Sequence, residues 1–349
     1  MGGLPPGTGP RGSGVRQARE LDDPALLVDR FAGRFDFLSN FYRVPVLLDG
    51  VVYPSSEHAF NALKTDDPAQ RETVRTASTP ARAKAAGRRV SLRVPAAEWD
   101  AHLRFEVMRE VVRAKFTDPD LRAALLSTGD ALLIEGTGDQ RHAWHDQVWG
   151  QCYCAKHRPW AGGNHLGRTL MAERARVRGD ERWTRVAVTG HRPRYLDRQQ
   201  SDFARAELRR LAVKLRAEHA TQVAISGMAL GSDTWWADAA VDAGLDLWAY
   251  VPFWSQPDGW ALPQASHWGD LLDVATRHVV LGESYDVRLL HSRNDFMLRD
   301  CDLLIAVHDP ARTGGGTAST LAKARAQGTT IVLVDVAAER TTIERPLAS

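Results

Sequence analysis

Tyr53-Pro54-Ser55-Ser56-Glu57-His58-Ala59-Phe60-Asn61-Ala62-Leu63-Lys64 is the stretch around which the chain is organised. A proline followed by two serines is a helix entrance. The ring presets φ, and a serine hydroxyl can accept from the exposed amides of the first turn. Helix is therefore expected from about Ser56 onward. On the helical period Glu57, Asn61 and Lys64 fall at i, i+4 and i+7 on one stripe, with Ala59, Phe60 and Leu63 in the adjoining sector. One face can bury while the other presents an acid, an amide and an amine. A helix can also carry Glu and Lys at this spacing merely solvated or weakly paired, so the surrounding sequence has to decide.

Working outward, residues 44–48, Asp49-Gly50 and residues 51–53 read as a hairpin with a two-residue turn that delivers the chain into this helix. Before it, Phe35-Asp36-Phe37-Leu38-Ser39-Asn40-Phe41-Tyr42 is an aromatic-rich entry. The first fourteen positions hold six glycines and three prolines, so residues 1–22 are expected as a disordered tail. After the helix come helical patterns at 70–77, at 80–87 with Gly87 as the stop, and at 98–114 with Trp99, Leu103, Val107 and Val111 at steps of four. A short helix is expected at 119–126, and a buried strand at 131–135 ending on Glu135. Trp144-His145-Asp146-Gln147-Val148-Trp149-Gly150 is too aromatic for an ordinary surface loop. Gly162-Gly163-Asn164-His165-Leu166-Gly167 then frees the backbone before a helix at 168–178.

Gly179-Asp180-Glu181-Arg182 marks a boundary, beyond which strand and helix alternate. Strands are expected at 185–188, 222–225, 245–251, 279–281, 303–307 and 330–335, with helices at 201–219, 234–243 and 318–327. That rhythm implies a doubly wound, mostly parallel α/β sheet of Rossmann-like type, whose ligands sit outside the carboxyl ends of the strands. The first half is mostly α (α+β). The expected division is a tail at 1–22, a first domain at 23–179, a second at 184–338 and a C-terminal tail at 339–349.

With 349 residues, 44% hydrophobic and 25% charged, the chain has material for two globular cores. A net charge of +2, from 45 basic and 43 acidic residues, excludes a polyelectrolyte and leaves nucleic-acid contact to local patches. Three cysteines argue against a disulfide framework and for a reducing compartment, so the cytoplasm is expected. The N-terminus shows no apolar signal region, and no apolar run is long enough for a membrane span.

Three glycine-bearing loops follow strands of the second half: Thr189-Gly190-His191-Arg192-Pro193, residues 226–233, and Thr313-Gly314-Gly315-Gly316-Thr317. Two of them open a helix, the geometry that aims backbone amides at a phosphate. Tight strand-to-helix turns would use the same glycines. The loops resemble the SLOG superfamily, related to the LOG phosphoribohydrolases and to DprA, over about residues 184–336. In LOG enzymes a glutamate follows the glycine-threonine stretch, whereas here Ala318-Ser319-Thr320 follow Thr317. The resemblance implies a second nucleotide ligand held by Gly190, Arg192, Gly227, Gly231, Asp233, Gly315, Gly316 and Thr317, and leaves no catalytic acid at that position. The two loops 227–233 and 314–317 are expected side by side at the sheet edge.

Residues 30–178 resemble the NADAR family, the YbiA-like N-glycosidases. The matching positions are Leu38 to Phe41, Tyr53 to His58 with Lys64, Lys115-Phe116, Thr128-Gly129-Asp130, Glu135, Asp146 with Trp149-Gly150, and Gly163-Asn164 with Leu166-Gly167, Leu170-Met171 and Arg174. The resemblance implies a hydrolase of ribose–base N-glycosidic bonds. Removal of ADP-ribose from guanine, free or in ADP-ribosylated DNA or RNA, is the leading expectation. Ribosylated pyrimidine intermediates of riboflavin biosynthesis are the alternative substrates, and a non-catalytic module binding NAD or ADP-ribose is the alternative role. Such cleavage passes through an oxocarbenium-like state that carboxylates stabilise. Glu57, Lys64, Glu135 and Asp146 are the catalytic candidates, and Ser39, Asn40, Phe41, Trp149, Gly163 and Asn164 the ligand contacts. Lys64 can neutralise an anion, form a Schiff base with the opened sugar, or simply pair with Glu57. Asn164 can meet ribose hydroxyls or serve as a left-handed turn residue, and Lys115 can touch phosphate or lie solvated.

Cys152-Tyr153-Cys154 with His157, His142 and His145 has donor types for zinc. Cys-x-Cys departs from the usual spacing, so the reading is two half-buried thiols with no metal. No cofactor is expected, and the sequence leaves homo-oligomerisation open.

Overall fold

The computed structural model describes residues 26–139, 144–180 and 182–346. The expected N-terminal tail, residues 1–22, lies outside them. The first half opens with β1 (Leu27–Val28) and a 3-10 turn at Gly33–Leu38, then forms the expected hairpin of β2 (Arg43–Leu48) and β3 (Val51–Ser55). Leu48 pairs with Val51 across Asp49-Gly50, whose φ values of 51° and 78° are those of a two-residue hairpin turn.

The α1 helix (Ser56–Ala62) follows at once, with the Ser55 hydroxyl accepting from the His58 amide. Every residue of α1 is buried, so Glu57 and Asn61 face an internal space instead of the surface, and half-buried Lys64 follows just beyond the helix end. Around it pack α2 (Pro68–Arg75), α3 (Pro80–Gly87), α4 (Ala96–Glu98) running through a π-helical turn at Trp99–Leu103 into α5 (Arg104–Lys115), and α6 (Pro119–Ser127). The expected strand at 131–135 shortens to β4 (Leu132–Leu133), paired parallel with β1. Two further short strands pair in parallel, β5 (Gly136–Thr137) with β6 (Gln151–Cys152), before α7 (His165–Arg178).

The second half is a seven-stranded sheet. Its strands are β7 (Arg185–Gly190), β8 (Val223–Ser226), β9 (Asp246–Val251), β10 (Arg277–Val280), β11 (Leu303–His308), β12 (Thr330–Asp335) and β13 (Arg340–Glu344). The order is β10-β9-β8-β7-β11-β12-β13, parallel throughout except for antiparallel β13. Residues 340–344, expected in the C-terminal tail, thus extend the sheet. Thr341, Thr342 and Ile343 give them the β-branched content an edge strand needs.

Alternation splits the strand residues between two helical layers. Val186, Val188, Ile305 and Val307 pack with α8 (Arg198–Glu218) and α9 (Ser232–Asp242), whereas Ala187, Leu304 and Ala306 pack with α11 (Val287–Asp300) and α12 (Gly315–Ala326). Before α11 comes α10 (Leu262–Val274), whose Trp268, Leu271 and Leu272 cover Leu247, Ala249 and Val251 of β9. Neither α10 nor α11 was legible as a separate pattern in the sequence. Among the described residues no helix is long and apolar enough to cross a membrane.

The halves share a core. Leu26, Leu132 and Ile134 of the first half join one hydrophobic cluster with Trp248, Tyr250, Phe296 and Leu304 of the second. Beside it, buried Arg185 donates to the Asp130 carbonyl at 2.7 Å and pairs with Asp302 at 2.6 Å.

Candidate active site

One cavity of about 910 Å³ lies in the first half, and Glu57, Lys64, Glu135 and Asp146 all line it. Ser39, Asn40, Phe41 and Trp149 line it too. The stripe of Glu57, Asn61 and Lys64 is one connected unit. Asn61 Nδ2 donates to the Glu57 backbone carbonyl at 2.8 Å and to Glu57 Oε1 at 2.9 Å, and Asn61 Oδ1 accepts from Lys64 Nζ at 2.7 Å. Burial raises the Glu57 pKa above the ordinary carboxyl range, against the pull of Lys84, Asn61 and Lys64. Burial likewise lowers the Lys64 pKa, with Lys84 and Arg88 adding repulsion and Glu57 opposing. The Lys64 ammonium lies 5.2 Å from the Phe60 ring centroid.

Glu135 stands between β4 and β5. Burial, with the nearby charges of Asp146 and Glu57, pushes its carboxyl up to about 8. Such a group carries a proton at neutral pH. Asp146 is fixed differently: its Oδ1 accepts from the Val148 amide at 2.8 Å and the Trp149 amide at 2.7 Å. The same turn aims Trp149 at Phe60, edge to face with centroids 5.4 Å apart. Asn40 is buried, donates to Met108 Sδ at 3.4 Å, and among the described residues has no donor on its Oδ1. Its carbonyl accepts from the Glu57 amide at 3.0 Å, tying residues 39–41 to α1.

Sequence reasoning missed the cations of this cavity. Arg43, Lys84, Arg88 and Arg104 join Lys64 on its lining. Lys84 and Arg88 sit on and just after α3, whose pattern looks like a surface helix. They reach the site because a Cβ on Gly87 would fall 2.3 Å from Asn61 Oδ1, so only glycine lets α3 lie this close to α1. Gly87 is the last residue of α3, as expected, but close packing accounts for it.

Three expectations change. Asn164 does not line the cavity: fully buried at φ 46°, it donates from Nδ2 to the Leu133 carbonyl at 2.8 Å and accepts from the Glu135 amide at 3.1 Å. It positions Glu135 as a left-handed turn residue, and its full burial keeps it from the cavity. Gly163 is also off the lining, where a Cβ would strike the His165 ring and the Val148 carbonyl. Lys115 is neither solvated nor at the cavity. It is 1% exposed, donates to the Ser39 carbonyl at 2.8 Å, and burial lowers its pKa to about 7.

In the second half the loops 227–233 and 314–317 follow strands that are not adjacent, because β7 lies between β8 and β11. Gly190 and Gly231 are packing glycines, pressed on Ser232 and on Pro193 with the His191 carbonyl. The Gly227 carbonyl accepts from the Arg293 guanidinium, which also pairs with Asp233 at 3.4 Å. Asp233 is 7% exposed, and its Oδ2 accepts from the Ala229 amide at 3.3 Å, so this oxygen clamps its own loop. Arg192, Gly315 and Gly316 are exposed, with open space around the two glycines, and Thr317 is buried at the start of α12.

The NADAR domain family model matches residues 30–178. N-glycosidase YbiA of Escherichia coli is 37% identical over 140 residues, 40% of this chain and 79% of that protein. An N-glycosidase of Nostoc punctiforme is 36% identical over 144 residues, covering 40% and 84%. A riboflavin biosynthesis protein of Vibrio vulnificus is 36% identical over 143 residues, covering 40% and 34%. Among solved structures, YbiA of Escherichia coli aligns with a TM-score of 0.37 at 32% identity, over 44% of this chain and 86% of that one. DNA processing protein A of Streptococcus pneumoniae aligns with a TM-score of 0.35 at 21% identity, over 43% and 50%. Through its N-terminal half, the chain belongs to the NADAR domain family.

Proposed function

We propose that the first half hydrolyses a ribose–base N-glycosidic bond, and that its substrate is an ADP-ribosyl adduct on guanine. The observation that carries this reading is the composition of one cavity: four acids, Asp36, Glu57, Glu135 and Asp146, together with five cations, Arg43, Lys64, Lys84, Arg88 and Arg104. Acids suit the oxocarbenium-like state, and cations beyond the reacting bond suit a diphosphate. Protonated Glu135 hands its proton to the departing base. Asp146 takes one from the attacking water or stabilises the sugar cation, and Trp149 offers a ring for the base to lie against. Glu57 and Asn61 hold Lys64 for electrostatic stabilisation or for attack on the opened sugar.

The name of the Vibrio vulnificus relative favours a second reading, ribosylated pyrimidines of riboflavin synthesis. The full-length protein should be given both substrates and the released base identified by mass spectrometry. Faster release of guanine supports the first reading, faster release of the pyrimidine the second, and no release from either leaves a binding module.

For the second half we propose a nucleotide-binding, SLOG-like sensor domain beginning at about residue 184 and running through β13. The support is that β7 and β11 are neighbours where the strand order reverses, the position at which such sheets hold ligands, and that Arg192 after β7 and Gly315-Gly316 after β11 are exposed. The first domain spans residues 23–179 in this division.

A further inference from the structure

Four nitrogen and sulfur donors converge beside the cavity, outside the set of residues assigned to the reaction. His145, Cys152, Cys154 and His157 each offer a ligand atom, and all four atoms lie within 4.8 Å of one another. His145 Nδ1 is 3.1 Å from Cys152 Sγ, and His157 Nδ1 is 3.2 Å from Cys154 Sγ. A tetrahedron with zinc–sulfur bonds of about 2.3 Å and zinc–nitrogen bonds of about 2.0 Å has sulfur–nitrogen edges of about 3.5 Å. The present spacings need only small shifts to reach it.

The backbone builds this convergence. Parallel pairing of Thr137 with Cys152 brings the outgoing and returning arms of the loop together. Gly138, at φ 72°, leaves the room: a Cβ there would sit 2.3 Å from Cys152 Sγ and 3.2 Å from His145 Nδ1. A tight turn, with the His157 and Arg158 amides donating to the Cys154 carbonyl at 3.0 and 2.8 Å, folds His157 back onto Cys154. The short Cys-x-Cys spacing weighed against a metal in the sequence, but here the second donor pair comes from histidines on either side of it. His142 lies outside the described residues.

We propose that His145, Cys152, Cys154 and His157 form a structural zinc site that pins the loop carrying Asp146. Two thiolates and two neutral imidazoles are a donor set that zinc takes tetrahedrally, and a fully protein-ligated shell leaves no position for substrate. The ion displaces the two thiol protons to solvent, giving a site of zero net charge. His145 is adjacent to Asp146, whose backbone amide is held by Thr137 Oγ1 at 3.1 Å, so the ion braces one wall of the cavity.

The test is elemental analysis of tag-free, full-length protein prepared under reductant, followed by cobalt(II) titration of chelator-stripped protein. About one zinc per chain is expected, with a cobalt spectrum showing thiolate charge transfer and strong tetrahedral d–d bands. Cys154→Ser and His157→Ala should abolish both signals, and Cys301→Ser should keep them. The wild-type cobalt titration stands on its own if a variant fails to fold. No zinc together with a weak octahedral cobalt spectrum overturns the proposal. So does metal retained equally by Cys154→Ser and His157→Ala.

Discussion

Lys64 reaches Glu57 through Asn61: its Nζ donates to Asn61 Oδ1 at 2.7 Å, and Asn61 Nδ2 donates to Glu57 Oε1 at 2.9 Å. An amide between acid and amine holds both in place without neutralising them face to face. A positioned acid–base group contributes about 10²–10⁴ in rate, so Glu57→Gln and Lys64→Ala should each lose at least about 10² in single-turnover rate. Circular dichroism should show both variants folded. Rates within about threefold of wild type would remove the stripe from the mechanism.

Gly87→Ala tests the approach of α3. The new methyl meets Asn61 Oδ1, Cβ and Cγ, and overpacking of this kind costs about 1–3 kcal/mol. A lowered urea midpoint with a disproportionate fall in kcat is expected, because the displaced group is the bridge itself. A fall in stability with kcat unchanged would show that Asn61 need not stay where it is.

Glu135 sets a pH window. Its folded pKa of about 8 lies above the unfolded carboxyl value of about 4.3, so its contribution to stability is full below the unfolded value and drains away as pH rises through the folded one. As proton donor it should also give kcat a basic limb near the same pH. The limb should vanish in Glu135→Gln, with low residual rate, and the pH dependence of the urea midpoint should flatten. A wild-type rate still rising above about pH 9 would exclude Glu135 as the donor.

The Schiff-base route makes a covalent prediction. Burial lowers the Lys64 pKa, the direction that favours the neutral amine a Schiff base needs, and if this route is used borohydride added during turnover should trap an adduct on Lys64. Turnover without any trapped mass on that residue would leave Lys64 as an electrostatic contact.

Local signals in the sequence were read correctly where the physics was local. Pro54-Ser55-Ser56 announced α1 because capping involves neighbours in the chain, and Asp49-Gly50 announced the hairpin because its positive φ values demand such residues. Lys84 and Arg88 were invisible because only the contact of Gly87 with Asn61, across two helices, turns them inward. Asn164 and Asp233 suggest ligand contacts in the sequence because a polar residue near glycine looks alike in a binding and a clamping role. Their partners, the Glu135 amide and Arg293, are 29 and 60 residues away. The β13 strand escaped notice because an edge strand needs only one neighbour, and β12 supplies it.

Single-turnover incubation of the full-length protein with an ADP-ribosylated guanine nucleotide, with Glu57→Gln in parallel, puts substrate and site to trial together. Free ADP-ribose and unmodified guanine nucleotide should appear with wild type, at least about 10² faster than with Glu57→Gln. Substrate bound but unchanged by wild type, or cleaved equally fast by the variant, would contradict the assignment of this cavity as an N-glycosidase site.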